Sequence, residues 1–204
     1  MLSSIRTCTN IKKPQEKKIS ALENKNIHLQ KCNDALEERI IQLEQKEIEK
    51  NIEIVGVDEI DNEKTKNIVE IVAKKLNLDN NHIEEVKRVG KEKRGENRSR
   101  PIVVTLRTKS ARDEWIKQRK MCLTNNDILN NNNNKRVYIN ECLTKSMRQT
   151  FWNTKRMLKD NYKYIWIQNS KILVKKNERS KIYNIRFDSD IDKLCFDDKE
   201  ESEA

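Results

Sequence analysis

The sequence predicts an α+β fold in three parts: an N-terminal coiled coil, a ferredoxin-like domain and a small C-terminal α+β domain. A heptad repeat of leucines predicts the coiled coil. Farther on, short β-branched runs and amphipathic segments alternate in the order β-α-β-β-α-β, which is typical of the ferredoxin-like arrangement. The predicted parts are a disordered arm (1–18), the coiled coil (19–50), the ferredoxin-like domain (51–140), the small domain (141–187) and an acidic disordered tail (188–204).

The coiled coil is predicted from apolar residues that recur every seven positions. They form a narrow stripe that a lone helix cannot bury, so the pattern predicts self-association. Two asparagines at the first heptad position are typical of a parallel dimer. The run from Arg39 to Glu44 instead fits the Arg-h-x-x-h-Glu pattern of short trimeric coiled coils, and we favour a trimer over a dimer. The predicted contact residues are Ile19, Leu22, Leu29, Leu36, Arg39, Ile40, Leu43 and Glu44.

The central domain is predicted from four β-branched runs and two amphipathic segments. The predicted strands are 52–57, 83–89, 101–106 and 136–139. Residues 63–76 predict the first helix, which places Ile68, Val69, Val72 and Leu76 on one face. A capping box of Ser110 and Asp113 predicts the second helix, with Trp115 in the core. An Asn-rich loop (130–134) precedes the last strand.

The small domain is predicted from one amphipathic helix and a hairpin. Its helix places Leu143, Met147, Phe151, Thr154 and Leu158 on one face. The runs 164–168 and 171–175 flank an Asn-Ser pair, which predicts a tight hairpin turn, and 182–187 predicts a last strand.

The charge of the chain is unevenly distributed. Its formal net charge is +10, but residues 51–187 hold 31 Lys and Arg against 17 Asp and Glu, a balance of +14, while residues 188–204 hold two against eight. A basic domain with an acidic tail indicates a polyanionic partner, for which the tail competes. The richness in Asn, Lys and Ile is also what AT-rich codons produce, so part of the lysine content need have no function.

Several classes of protein lack support in the sequence. No phosphate-binding loop, nucleophile elbow or metal-ligand cluster is present, so we expect no enzymatic activity, no cofactor and no small-molecule substrate. The five cysteines are widely spaced and there are two histidines, which predicts free thiols in a reducing compartment. No apolar run reaches the length of a membrane span and no signal-peptide core is visible. We expect a soluble intracellular protein, in the nucleus or cytoplasm, that is neither secreted nor bound to a membrane.

Nucleic acid is the polyanion that the element order favours. The RNA-recognition motif shares this order and stacks bases on aromatic residues of its two central strands. Here those strands, 52–55 and 102–105, contain no aromatic residue, so phosphate contacts are expected to dominate. Trp166 either stacks a base or packs within the small domain, and packing is favoured. The residues predicted to contact phosphates are Arg94, Arg98, Arg100, Arg119, Lys120, Arg136, Arg148 and Arg156.

Ordered sequence blocks also resemble a known family. The blocks are Asn51–Val57, Arg88–Gly90, Arg100–Val104, Tyr138–Thr144, Tyr164–Trp166 and Lys171–Val174. In this order they resemble the C-terminal domain of the baculovirus few-polyhedra (FP) protein family and its transposon-derived relatives in insects. The architecture is more distantly similar to the first-open-reading-frame protein of LINE retrotransposons. That resemblance implies a clamp on single-stranded nucleic acid with chaperone-like activity, and the viral family implies a nucleocapsid-associated role.

Two functions therefore compete at the level of sequence. The first is an oligomeric protein of viral or transposon origin that holds single-stranded RNA or DNA mainly through phosphate contacts. The second is a protein-interaction or viral structural protein that assembles through the coiled coil, with a basic domain that is merely well solvated. Binding to nucleic acid and its dependence on salt distinguish them.

Overall fold

The chain divides into two compact units, Met1–Leu43 and Glu44–Ala204. The computed structural model describes the backbone of residues 2–90 and 99–203 and the side chains of 15–90 and 99–195. The first helix, α1, is Leu2–Glu47. Residues 2–18, for which the sequence predicts an irregular arm, belong to this helix; apart from Pro14, the segment contains no strong helix breaker.

The heptad stripe is exposed along α1. Its apolar side chains are each more than half exposed: Ile19, Leu22, Leu29, Leu36, Ile40 and Leu43. Arg39 and Glu44, predicted to pair across the seam, are exposed as well. A long helix with this pattern is compatible with a coiled coil.

The Glu44–Ala204 unit begins with a five-stranded antiparallel sheet, which confirms the α+β class. The strand order is β2-β3-β1-β5-β4. The strands are β1 (Asn51–Val55), β2 (Ile83–Arg88), β3 (Ile102–Leu106), β4 (Leu123–Thr124) and β5 (Arg136–Glu141). The helices between them are α2 (Thr65–Lys75), α3 (Lys109–Lys117) and α4 (Asn125–Leu129).

One face of this sheet carries the core. Ile52 and Ile54 of β1 are buried together with Val69 and Val72 of α2. Trp115 of α3 is also buried, as predicted. The start of α3 differs from the prediction, because Thr108 is its N-cap and the Thr108 hydroxyl accepts a hydrogen bond from the Ala111 amide. The prediction of a capping box of Ser110 and Asp113 was therefore wrong.

Two short elements, β4 and α4, were not predicted. Their start is fixed by a capping box in which Thr124 and Asp127 bond each other's amides. The buried Asn125 side chain then joins the segment to the end of β1: its Oδ1 accepts from the Asp58 amide at 2.8 Å and its Nδ2 donates to the Gly56 carbonyl at 2.7 Å. These bonds hold the segment that leads into β5.

The remainder of the unit is a three-stranded antiparallel sheet of order β6-β7-β8. Its elements are α5 (Lys145–Leu158), β6 (Tyr164–Gln168), β7 (Lys171–Lys175), β8 (Tyr183–Ile185) and α6 (Asp188–Glu203). The predicted hairpin is confirmed. Asn169 and Ser170 both have left-handed φ angles, +50° and +57°, as a type I′ turn requires.

The acidic segment at the C-terminus is helical, although its composition predicts a disordered tail. Ile191 and Leu194 of α6 are buried, and α6 packs against α5. Their spacing of three places them on one side of the helix. Buried apolar side chains at these two positions dock the helix, so the average composition of the segment was misleading.

Gly56 is a position at which only glycine fits. Its φ is +94°, and an added Cβ would stand 2.7 Å from the backbone oxygen of Arg136. Gly56→Ala is expected to destabilise the protein by more than the roughly 1–2 kcal/mol of left-handed strain alone, because the clash is with backbone. The matched control is Gly90→Ala: Gly90 has φ +110°, and its added Cβ meets nothing within 4 Å among the described residues. Thermal unfolding followed by circular dichroism compares the two, and equal losses would contradict the close contact.

Candidate nucleic-acid interface

The face of the first sheet opposite α2 and α3 is the starting point of the candidate site. Because side chains alternate along a strand, Glu53 and Val55 of β1 point away from the buried face of Ile52 and Ile54. Pairing places Asn140 opposite Glu53 and Tyr138 opposite Val55. Directly paired residues share a face, so Tyr138 and Asn140 of β5 lie on this face, which is called the open face although Glu53 and its partner Val103 are buried on it.

Tyr138 is an exposed aromatic residue on the open face. Along β5, exposed Arg136, Tyr138 and Asn140 alternate with buried Val137 and Ile139. The Tyr138 side chain is 50% exposed, and the Arg136 guanidinium carbon lies 5.6 Å from the centre of its ring. Arg136, predicted from the sequence, is therefore placed beside an aromatic ring that the prediction did not include.

An ion pair connects the open face to α5. The Arg148 Nη1 atom lies 3.2 Å from Oε1 of Glu53, whose carboxylate is nearly buried. This contact brings the first turns of α5 to the sheet. Arg148, another predicted phosphate contact, thus has its charge partly balanced by Glu53 while about half of its side chain remains exposed.

The exposed side of α5 is a basic stripe. Lys145, Arg148, Trp152 and Arg156 follow one another at spacings of three or four residues, so they share one face of the helix, and all four are exposed. The helix contains no Asp or Glu. Trp152 is 55% exposed, and the Arg156 guanidinium carbon lies 4.8 Å from the centre of its ring.

The other predicted phosphate contacts lie in different environments. Arg94 and Arg98 are outside the described residues. Arg119 and Lys120 are exposed on a short 3-10 helix, Gln118–Lys120, that lies beside β5. Arg100 is not brought to the open face as a solvated cation, because its Nη2 lies 2.6 Å from Oε2 of Glu59.

Two arginines before β3 hold the fold together. The Arg88 side chain is nearly buried; its Nη2 donates to Glu63 at 2.8 Å, and its Nη1 donates to the Arg100 carbonyl at 2.6 Å. Burial alone raises the pKa of Glu63, but the hydrogen bonds and charge of Arg88 outweigh it and lower that pKa overall. The side-chain hydrogen bond from Arg100 lowers the pKa of Glu59 in the same way. Exposed cations elsewhere are therefore better suited to bind phosphate.

Trp166 lies on the second sheet. It pairs with Leu173 across the hairpin, its side chain is half-buried, and its Nε1 donates to Oε1 of Gln168 at 3.2 Å. Its role in stacking or packing stays a prediction. In exposure it ranks below Trp152, which the sequence prediction left unassigned. The helical spacing of Trp152 from Arg148 and Arg156, opposite Met147 and Leu158, was the available signal.

Metal binding and membrane crossing have no candidate within the part of the chain that the structure describes. No group of three or more His, Cys, Asp or Glu residues there is arranged to hold a metal ion. None of the helices, over the same residues, is long and apolar enough to cross a membrane.

Comparison with known protein families also divides the Glu44–Ala204 unit into two parts, one around each of its sheets. The profile of baculovirus FP protein domain 1 matches residues 49–139, and that of domain 2 matches residues 144–195. The chain belongs to the baculovirus FP protein family. The FP resemblance of the ordered sequence blocks is thus confirmed, whereas the likeness to transposon and LINE proteins stays a prediction. No curated protein matches the chain.

The two FP domains meet around residues 140–143, which neither match includes. The α5 stripe belongs to domain 2, and Arg136 and Tyr138 belong to domain 1. The Arg148–Glu53 ion pair joins them, so the candidate interface is built by both domains.

Proposed function

We propose that this FP-family protein is a nucleic-acid-binding protein rather than an enzyme. It self-associates through α1, with a trimer favoured over a dimer, and holds single-stranded RNA or DNA mainly by phosphate contacts. The observation that carries the proposal is the acid-free exposed stripe of α5, which lies next to the open face of the first sheet. The helix supplies no carboxylate of its own to neutralise these cations, so the stripe attracts a polyanion even though Glu53 partly balances Arg148 and the acid-rich helix α6 packs against α5.

The fold of domain 1 supports the same proposal. We take it as a ferredoxin-like domain, because its four longer strands follow the order β2-β3-β1-β5 with antiparallel neighbours. Its open face is the one on which nucleic-acid-binding domains of that arrangement hold single strands. The short strand β4 adds to the edge at β5.

The biological setting follows from this proposal and from the family. A binder that releases counterions from phosphates is tolerant of sequence, which suits a chaperone-like or nucleocapsid-associated role inside a cell, in the nucleus or cytoplasm. The rival is a protein-interaction or viral structural role, which the exposed apolar stripe of α1 favours. It requires no binding to nucleic acid.

Charge removal on α5 tests the phosphate contacts. The double variant Lys145→Ala with Arg156→Ala is expected to weaken binding of a single-stranded oligonucleotide and to reduce the slope of log affinity against log salt by about 1.4, at about 0.7 per phosphate contact. Fluorescence anisotropy over a salt series measures both effects. The pair omits Arg148, whose loss would leave the nearly buried Glu53 carboxylate without its partner.

The matched control removes two exposed charges from the other side of the sheet. Lys74→Ala with Lys75→Ala on α2 should leave affinity and slope nearly unchanged. Equal effects of both double variants would indicate a diffuse attraction rather than this interface. Absence of binding by the unaltered protein at low salt would favour the protein-interaction role.

A further inference from the structure

Two exposed aromatic rings in the Glu44–Ala204 unit share one arrangement. Tyr138 lies beside the Arg136 guanidinium at 5.6 Å, and Trp152 lies beside that of Arg156 at 4.8 Å, each measured to the ring centre. Both distances are within the range of a cation–π contact. Each ring thus has a guanidinium on one face while half or more of its side chain remains exposed.

The two rings belong to one surface. Tyr138 is on the open face of the first sheet, where Val55 is its partner and Glu53 is two residues away along β1. Glu53 binds Arg148, and Trp152 lies one helical turn beyond Arg148 on α5. Single exposed aromatic residues are common and carry little meaning. Two exposed rings on one basic surface, each with its own arginine neighbour, indicate a shared ligand.

We propose that Tyr138 and Trp152 are stacking sites for unpaired nucleobases, so that the protein binds bases as well as phosphates. This inference rests on the proposed function and adds stacking of unpaired bases to its phosphate contacts. In a duplex the flat faces of the bases are covered by their neighbours, whereas in a single strand each base offers a π-face to an aromatic side chain. A base would stack on the ring face away from the arginine, and the arginine on the other face is placed to neutralise a neighbouring phosphate.

The sequence prediction placed no stacking residue on the sheet because it considered only the two central strands. Tyr138 lies on β5, which pairs with β1 and exposes alternate side chains. Stacking is tolerant of sequence because every base has a π-face. The two sites therefore add affinity for single strands without requiring a base-specific hydrogen bond.

Two ligands of equal charge separate stacking from phosphate contacts. One is a 20-nucleotide oligothymidine, and the other is a backbone of the same length built from abasic residues. Tyr138→Ala and Trp152→Ala are each expected to weaken binding of oligothymidine about 5- to 150-fold, the range for loss of one stacked base. Binding of the abasic strand and the salt slope should stay the same, and Tyr138→Phe and Trp152→Phe should retain most of the affinity.

The matched control is Tyr183→Ala on β8. Tyr183 is 38% exposed and has the Lys181 amine 5.9 Å from its ring centre, but it lies on the second sheet. The Tyr183→Ala variant should bind both the oligothymidine and the abasic strand as the unaltered protein does. Loss of affinity for both strands alike, or no loss with oligothymidine, would overturn the stacking sites while the phosphate-binding function stands. If the unaltered protein bound neither strand at low salt, both proposals would fall.

Discussion

Leu36→Asp is expected to leave the protein a monomer, because it disrupts the coiled coil through which we propose that the chain self-associates. Leu36 occupies a central heptad position of α1 and is among the most exposed of its apolar side chains. In a coiled coil the same position of each chain meets at the seam, so the variant would bring two or three carboxylates together in an apolar environment. Light scattering at tens of micromolar should report the mass of a single chain.

Loss of assembly should also weaken binding to nucleic acid. Linked binding units act on one strand at a high effective concentration, which is worth roughly 10²-fold or more in affinity when the ligand spans them. A long oligonucleotide should therefore lose far more affinity with Leu36→Asp than one short enough to occupy a single unit. A similar loss with both ligands would indicate damage to the binding surface itself.

The control introduces the same charge one residue earlier. Ala35 is exposed on α1 and lies outside the predicted seam, so Ala35→Asp should leave the oligomer intact. The two variants introduce the same charge at neighbouring positions of one helix and differ in whether the position lies in the seam. An unchanged mass in Leu36→Asp would mean that the apolar stripe serves another partner, which is the protein-interaction alternative.

The fold was largely predictable because its signals are local. The β-branched runs at 52–55 and 102–105 and the helical spacing of Val69 and Val72 depend on neighbours a few residues away, and these elements are found close to their predicted bounds. The left-handed turn at Asn169 and Ser170 is local as well. Errors occurred where two signals competed, as at the cap of α3, where Thr108 prevailed over Ser110.

The site was less predictable because residues far apart in sequence decide which of its charged side chains are already held in ion pairs. Arg100 is bound by Glu59, 41 residues earlier, and Arg88 by Glu63, 25 residues earlier. A count of cations cannot separate these arginines from Arg156, which has an aromatic neighbour on its own helix. Tyr138 could have been predicted as exposed from the alternation of Arg136, Tyr138 and Asn140, had both faces of the strand been considered.

The junction between the two FP domains depends on Glu141, at the end of β5. The Glu141 carboxylate is buried and accepts three hydrogen bonds: from Nη2 of Arg112 at 2.9 Å, from the Asn169 amide at 3.0 Å and from the Ser170 amide at 2.8 Å. It therefore binds a helix of domain 1 and the hairpin turn of domain 2 at once.

Gln45 completes the same junction. Its Nε2 donates to the Cys142 carbonyl at 2.9 Å and to the Ser170 hydroxyl at 3.2 Å, and its Oε1 accepts from the Thr144 amide at 3.2 Å. This buried side chain explains why the compact unit begins at Glu44 rather than at the predicted boundary of 51. A shortened chain that retains the junction must therefore include Gln45.

Glu141→Ala is expected to destabilise the Glu44–Ala204 unit by about 3–5 kcal/mol, the usual cost of removing one partner from a buried ion pair. The Arg112 side chain is 4% exposed, so its guanidinium would remain buried with Asp113 as its remaining ion-pair partner. The two amides of the Asn169–Ser170 turn would also lose their acceptor. Urea unfolding followed by circular dichroism should show a lower midpoint.

Two further variants separate the ion pair from the turn. Glu141→Gln keeps the shape and one acceptor oxygen but removes the charge, so its loss should be intermediate. Adding Arg112→Met to Glu141→Ala removes the guanidinium that has lost Glu141. The double variant should therefore lose less stability than the sum of the losses of Glu141→Ala and Arg112→Met alone. The loss that remains belongs to the turn amides, because neither substitution restores their acceptor. Strictly additive losses would show that Arg112 and Glu141 do not stabilise each other, and the junction would then depend on the Glu141 contacts to the turn alone.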